Sequence, residues 1–365
     1  MQRIKNIEIL RIIGCVAIVM LHFFSHHLGS KYGNIPIYHH LKLMTSNGQK
    51  AVDLFFILSG CFFAITFNKN IDIWDFLKKK LIRLYPVLLF VIGGMFILSL
   101  FHFTKFDFYS CILCLFGLNG TILSLKIGYI EVFWYVSVML WTLLLYFYLL
   151  KHYEQKNVNL FAFLTLFISY GVIIQAKNGH ISGPLVTFGY LYQFSTLRGL
   201  GGISLGYLLG NWYKNNIELI KNYIPSWKQK IFLTSLEFVC LFFIINNLIF
   251  HKIKFDNDII FILTFALIIF LFLLNKGYIS KILDNDICSK FSKYTYSIYM
   301  THSTIIKTLL INTIWKHTSI VTTHPNINIV IIFLSTIVFG ILTYHLIEVP
   351  CLQYLLHKYS SNKNV

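Results

Sequence analysis

The sequence predicts an all-α fold, a polytopic membrane bundle of about ten spanning helices plus one short re-entrant or interfacial segment. Three observations carry this. Of the 365 residues, 56% are hydrophobic and only 12% are Asp, Glu, Lys or Arg, about half the charged share of a soluble domain. Apolar runs of about 20 residues recur along the chain, the length that crosses a hydrocarbon core. Short Lys-bearing loops separate them with the parity that the positive-inside rule requires. The net charge of +17 lies in those loops rather than in a patch on a folded domain. Anionic lipid headgroups, not nucleic acid, are therefore the expected partners of the lysines.

The first run, residues 7–24, reads IEILRIIGCVAIVMLHFF. No small-residue cleavage site follows it, so it is expected to stay in place as a span. Arg11 and His22 lie eleven residues apart. At about 100° per residue they leave the same helix face, roughly 16 Å apart along the axis. Charged groups at such depth face the bundle interior or a wet cavity, which makes the stripe a candidate polar channel. The plainer alternative is an interfacial His and an Arg that snorkels to the headgroups.

A loop of mostly polar residues, 25–49, follows with His26, His27, His39 and His40. It has no Cys or carboxylate at ligand spacing, so no metal site is expected there. The second span, residues 51–67, holds Asp53 near its start and Ser59 near its middle. Residues 68–83 carry Lys69, Lys78, Lys79, Lys80 and Arg83, the densest basic run, and read as a cytoplasmic loop. The third span, 84–101, is entered through Tyr85-Pro86. The next apolar piece, 108–118, is too short to cross. Further spans are expected at 132–150, 160–176, 190–212, 231–250, 259–274, 294–314 and 327–347. If the short piece does not cross, every later Lys-rich loop and both termini fall on the cytoplasmic side. Residues 1–350 then form one membrane domain, and 351–365 a short basic cytoplasmic tail.

The seven cysteines are scattered, mostly through apolar segments, and read as small apolar residues rather than metal or redox groups. No phosphate-cradling Gly loop, zinc helix or nucleophile elbow is present. What remains is a histidine base, an arginine and polar groups at span positions. Asp53 pairs with Arg11, orients His22, or is a helix-end carboxylate at the external interface. Arg198 opens a Gly-rich span whose glycines serve close helix packing or approach to a ligand. Tyr296 and His302 share one span, and Glu348 stands where the last one ends, as a pocket group or as a cap. Such a set suits acyl transfer without a serine nucleophile, His deprotonating a hydroxyl while Arg or nearby dipoles hold phosphates or an oxyanion.

In order, the chain carries R-x10-H (Arg11, His22), VDLFFILSG (52–60), F-x6-R-x2-P (Phe76, Arg83, Pro86) and FWYVSV (133–138). R-x7-G-x3-G (Arg198, Gly206, Gly210), YSIYMTH (296–302) and IEVP (347–350) follow. Each is weak alone. As an ordered set they resemble the membrane acyltransferase family 3, O-acyltransferases of cell-surface glycans. One departure is Met139, where many members have Glu.

The resemblance implies a multi-pass protein of the plasma (cytoplasmic or inner) membrane with no permanently bound cofactor and no metal. It implies transfer of an acyl group, acetyl being the first expectation, from cytoplasmic acyl-CoA to a sugar hydroxyl of an envelope glycan or lipid-linked precursor. By position, His22 is the implied base and Arg11 an essential group near the donor. Asp53, Ser59, Arg198, Tyr296, His302 and Glu348 are supporting pocket candidates, and Lys79, Lys80 and Arg83 steer the CoA phosphates. Partners beyond substrates and lipids reduce to a second copy, since the Gly-rich span packs within or between protomers. The rival reading is an exporter or permease for polysaccharide or lipid-linked sugar.

Overall fold

The computed structural model describes residues 4–26, 46–101, 106–121, 130, 132–181, 187–188, 192–250, 257–311 and 325–361. The described chain is helical throughout, apart from a two-residue antiparallel ladder pairing β1 (Thr187–Phe188) with β2 (Tyr192–Gln193). Among the described residues, six helices are long and apolar enough to cross a membrane, over Asn47–Thr66, Ile73–Leu100, Phe133–His152, Gln155–Ala176, Trp227–Ile249 and Phe333–Tyr359. Helices also occupy the other four segments expected to span, of which the two at Ile259–Leu274 and Thr295–Ile311 have 16 and 17 residues. The histidines at 27, 39 and 40 lie outside the described residues.

Helix α1 is Glu8–His26. A short 3-10 turn, Ser46–Lys50, leads into α2, Ala51–Thr66. The two run antiparallel in close contact, because a Cβ at Gly48 would meet the Ala17 carbonyl and one at Gly14 the Phe55 ring.

Helix α3 spans Ile73–Leu100, 28 residues. It begins a full eleven residues before the expected Leu84, so the basic run, Lys69 apart, is helix rather than loop. The cause is local. The Asp72 carboxylate accepts the Trp74 N–H at 3.0 Å as an N-cap, and the lysines behind it are good helix formers. Pro86 removes one intrahelical donor without ending the helix.

Helix α4, Phe108–Leu115, has only eight residues, about 12 Å of rise against a core of about 30 Å. It does not cross. Asp107 caps it through Ser110, and the Ser110 hydroxyl in turn holds the Asp107 carboxyl below the usual carboxylate range. Its exit is pinned from three helices. Tyr85 Oη donates to the Leu115 carbonyl at 2.6 Å, Trp141 Nε1 to Gly117 at 2.9 Å and Ser195 Oγ to Gly120 at 2.5 Å. Gly120 takes φ +71° there, and a Cβ would strike the Trp134 side chain.

Helices α5 (Phe133–His152), α6 (Gln155–Ala176) and α7 (Phe194–Asn215) follow. The seam between α2 and α7 is the closest in the fold. A Cβ at Gly206 would lie 1.9 Å from the Ile57 carbonyl oxygen, at Gly210 2.3 Å from that of Cys61, and at Gly60 2.2 Å from that of Ile203. Small residues four apart on α7 thus bring two backbones into contact, the driving force available where lipid replaces water. The glycines serve packing within one chain.

Helices α8 (Ile217–Asn222), α9 (Trp227–Ile249), α10 (Ile259–Leu274), α11 (Tyr278–Leu283) and α12 (Asp286–Ser292) complete one flank. The buried Glu237 of α9 accepts the Ile279 and Ser280 N–H groups of α11, each at 3.1 Å. At α12, a hydrogen bond from Lys5 holds the exposed Asp286 carboxyl below its ordinary range.

Helix α13 (Thr295–Ile311) lies parallel to α1 with a constant register. Cys15 contacts the Thr295 carbonyl and His22 contacts His302, both pairs 280 residues apart in the chain. Seven residues are two turns less about 20°, so such a stripe stays in register. Helix α14 (Pro325–Thr343) packs Gly340 against Ile298 of α13, then passes through a π-turn, Tyr344–Glu348, into α15 (Val349–Ser361). Tyr359 of α15 reaches Asp75 on α3.

Candidate functional site

The α1 stripe that carries Arg11 and His22 faces α2, α3 and α13. At one end, His22 Nδ1 lies 2.7 Å from His302 Nε2. The rings are 11° from parallel with centroids 5.0 Å apart. Face-to-face stacking would not bring two nitrogens to that distance, so the imidazoles lie edge to edge in nearly one plane, joined by a hydrogen bond. His302 is fully buried, and its Nδ1 is 2.6 Å from the Tyr299 carbonyl and 3.2 Å from that of Ile298.

Beyond this pair lies an aromatic and hydroxyl cluster. The Tyr299 ring is 5.8 Å from His302 and edge-on to Phe55 and Tyr135 at 6.2 and 5.9 Å, the tilted geometry aromatic quadrupoles favour. Tyr299 Oη donates to the Val132 carbonyl at 2.8 Å. Ser59 Oγ and Tyr135 Oη are 2.9 Å apart, and both reach the Met139 sulfur, at 3.3 and 3.5 Å. Met139, the position at which the resemblance led one to expect Glu, therefore lies at two hydroxyls, which meet its weak thioether acceptor. On α2, Ser59 falls between Phe55, which covers Gly14, and Phe62, which lies under Arg11. Its depth is thus between the two ends of the stripe.

At the other end, Arg11 pairs with Glu8 one turn away at 3.3 Å and sits 4.7 Å above the Phe62 ring. Lys80 lies in the field of both Arg83 and Arg11. Arg83 also acts on Tyr296 and on Glu348. The π-turn aims Glu348 inward, where it accepts the Ser297 hydroxyl at 2.5 Å. Tyr296 Oη donates to the Leu84 carbonyl at 2.6 Å. Two helices, α1 and α3, thus place Arg11 and Lys80 within each other's field, with the exposed Arg83 one turn beyond Lys80, while Lys79 is also exposed.

Asp53 stands apart from both ends. It neither pairs with Arg11 nor orients His22, and it is buried within the bundle, 1% exposed. Its carboxylate receives Arg198 Nε at 3.2 Å and Arg198 Nη2, and Tyr170 Oη at 3.5 Å. The same guanidinium donates to the Gln49 carbonyl at 3.0 Å and lies over Trp134. Arg198 is one turn before Gly202 on the glycine stripe, so R-x7-G-x3-G is the α2–α7 seam with an ion pair at its head. Beside it, burial and the Arg198 charge push Lys177 down to about 8. Lys50 pairs with Asp258 at 2.6 Å, and Asp258 also accepts the Ile181 N–H at 2.9 Å. No group of three or more potential metal ligands occurs among the described residues.

Several of these partners escaped the sequence reading. Glu8 had a signal, the i, i+3 spacing to Arg11. Tyr135 sat within FWYVSV. Lys50 with Asp258 had none, because the pair is made only in the folded bundle.

A half-buried imidazole joined to a fully buried one at one end of a polar stripe, with cations at the other, marks a candidate site inside a helical membrane bundle. The particular family is shown by comparison. The family model described as an acyltransferase domain, acyltransferase 3, matches residues 4–345, and the chain belongs to that family. Neither the curated proteins nor the solved structures gave a match. The chain is an acyltransferase of the membrane.

Proposed function

We propose that this acyltransferase moves an acyl group, acetyl in the first instance, from acyl-CoA to a sugar hydroxyl of an envelope glycan or lipid-linked precursor. The protein crosses the plasma membrane ten times with both termini in the cytoplasm, by the charge parity of its loops. The observation that carries the reading is the separation of functions along one helix face. Arg11 and Lys80, with Arg83 one turn further along α3, lie within one another's field at one end and His22 stands at the other, roughly 16 Å away. A phosphate-bearing donor with an extended thioester arm spans that distance, with its phosphates on the cations and its carbonyl at His22. Lys79, exposed beside them, adds to the field that steers an anion inward.

In the reaction, His22 takes the proton of the acceptor hydroxyl as the oxygen attacks the thioester carbonyl. The C–O bond forms, the C–S bond breaks, and the proton passes on to the leaving thiolate. Glu348, held by Ser297 near Arg83, and Tyr296 shape the donor end. Ser59 and Tyr135 border the path of the arm. Asp53 and Arg198 brace the wall formed by α2 and α7.

The test compares the acyl content of the surface glycan by NMR in a strain lacking the protein, complemented with wild type or with His22→Ala at matched membrane levels. One O-acyl signal, lost on deletion and restored only by wild type, is the expected result, and it identifies the acceptor and the acyl group. An unchanged acyl pattern with altered glycan amount moves the reading to transport.

A further inference from the structure

The geometry points to His302 as the positioning residue that fixes the proton arrangement of His22, so that His22 presents Nε2 as its basic nitrogen. This rests on the reading of His22 as the base, and adds which nitrogen acts and what holds it.

The argument starts from His302. Its Nδ1 faces two backbone carbonyl oxygens, at 2.6 and 3.2 Å. A carbonyl oxygen only accepts, so Nδ1 carries hydrogen. In a neutral imidazole the other nitrogen is then an acceptor, which leaves His302 Nε2 with a lone pair directed along the 2.7 Å contact. His22 Nδ1 must donate into it. With its hydrogen on Nδ1, neutral His22 keeps its lone pair on Nε2, the nitrogen at the far side of the ring from His302. The chain of three groups, the Tyr299 carbonyl, His302 and His22, thus leaves only one neutral arrangement.

The reverse arrangement shows why this matters. If His302 carried protons on both nitrogens, Nε2–H would point at His22 Nδ1, and His22 would hold its hydrogen on Nε2 and be no base at that position. Full burial of His302 opposes that state, because an imidazolium is costly away from water. When His22 takes the acceptor's proton, the Nδ1–H bond to a neutral His302 becomes charge-assisted and strengthens. That stabilises the charge as it develops. Among the described titratable groups, the ring of Tyr299 packs 5.8 Å from His302, and the thiol of Cys15 lies two turns below His22 against the Thr295 carbonyl.

Two substitutions separate positioning from packing. In His302→Gln the amide sits near the former Nε2, so its carbonyl oxygen still accepts from His22 Nδ1. In His302→Asn the amide sits near the former Nδ1, so it keeps the tie to the Tyr299 carbonyl and does not reach His22. The full-length proteins in membrane vesicles, with His22→Ala alongside, are assayed for transfer of radiolabelled acetyl from acetyl-CoA to endogenous envelope glycan. Thermal stabilisation by acetyl-CoA checks fold and donor binding.

The expected result is a kcat about 100-fold lower in His302→Asn with KM for acetyl-CoA unchanged, and recovery to within about tenfold of wild type in His302→Gln. Equal losses in both variants, or none in His302→Asn while His22→Ala is inactive, overturn the inference and leave the base reading standing. Wild-type transfer by His22→Ala overturns both.

Discussion

The α2–α7 seam allows a prediction with a worked magnitude. Gly206→Ala places a methyl 1.9 Å from the Ile57 carbonyl oxygen and 2.8 Å from the Cys61 amide nitrogen. Non-bonded carbon contacts are comfortable near 3.5 Å, so the two backbones must part by roughly 1.5 Å at that point. Neither obstacle is a side chain that can rotate away. The flanking contacts, Gly210 on Cys61 and Gly60 on Ile203, would open with it, because rigid helices separate along several turns. Overpacking costs about 1–3 kcal/mol where side chains adjust, and this site belongs at or above the upper end. Against it stands the helix propensity gain of Ala over Gly, up to about 1 kcal/mol. The net expectation is destabilisation by about 2 kcal/mol or more. Gly94→Ala supplies the control, since nothing lies within 4 Å of a Cβ there. It should be neutral or slightly stabilising. Unfolding midpoints in mild detergent, measured on both variants, decide the matter. A Gly206→Ala protein as stable as Gly94→Ala would refute close backbone packing as the reason for this glycine.

Three further outcomes follow from the same geometry. Arg198→Met strands the Asp53 carboxylate in the bundle and should destabilise by about 3–5 kcal/mol, whereas the double variant with Asp53→Asn recovers most of the loss; a double-mutant cycle on thermal unfolding reads this. Lys177, pushed down to about 8 by burial and by Arg198, binds fewer protons folded than unfolded between that value and its ordinary 10.5. Stability should therefore rise with pH across that window in wild type, and Lys177→Gln should lose this slope in unfolding titrations from pH about 7.5 to about 9.5. Met139→Leu gives up only a weak acceptor and should keep stability within about 1 kcal/mol; Met139→Glu should tolerate its carboxyl because Ser59 and Tyr135 supply donors, so adding Ser59→Ala costs Met139→Glu more stability than it costs wild type.

The sequence disclosed the parts of this fold that depend on local pattern. Apolar run lengths located the helices, and the piece at 108–118, of which Phe108–Leu115 is helix, was visibly too short to cross. The shared face of Arg11 and His22 followed from helical pitch alone. What stayed hidden depends on which helices meet. Asp53 had three candidate roles, and only the parallel contact of α2 with α7 sends it to Arg198. The same contact explains why the glycines serve packing. The start of α3 was misplaced for a different reason. Lysines before an apolar run read as a loop by topology rules, while the Asp72 cap and lysine propensity carry the helix eleven residues further back. The His22–His302 bond required the register of two parallel helices, which no spacing within either one reveals.

That register separates what is rigid from what reacts. The α2–α7 seam, with its backbone contacts and buried ion pair, fixes the wall on which Ser59 stands. The α1–α13 stripe opposite is built of groups that give and accept protons. Helix α1 touches both, laying Gly14 on Phe55 and Cys15 on Thr295. A disturbance of the seam therefore moves Ser59 and Phe62, and with them the floor under Arg11, before it reaches His22. Donor affinity should respond to seam substitutions more than proton transfer does, and His302 substitutions should show the opposite pattern. A seam variant such as Gly202→Ala that kept KM for acetyl-CoA and lost only kcat would contradict this division.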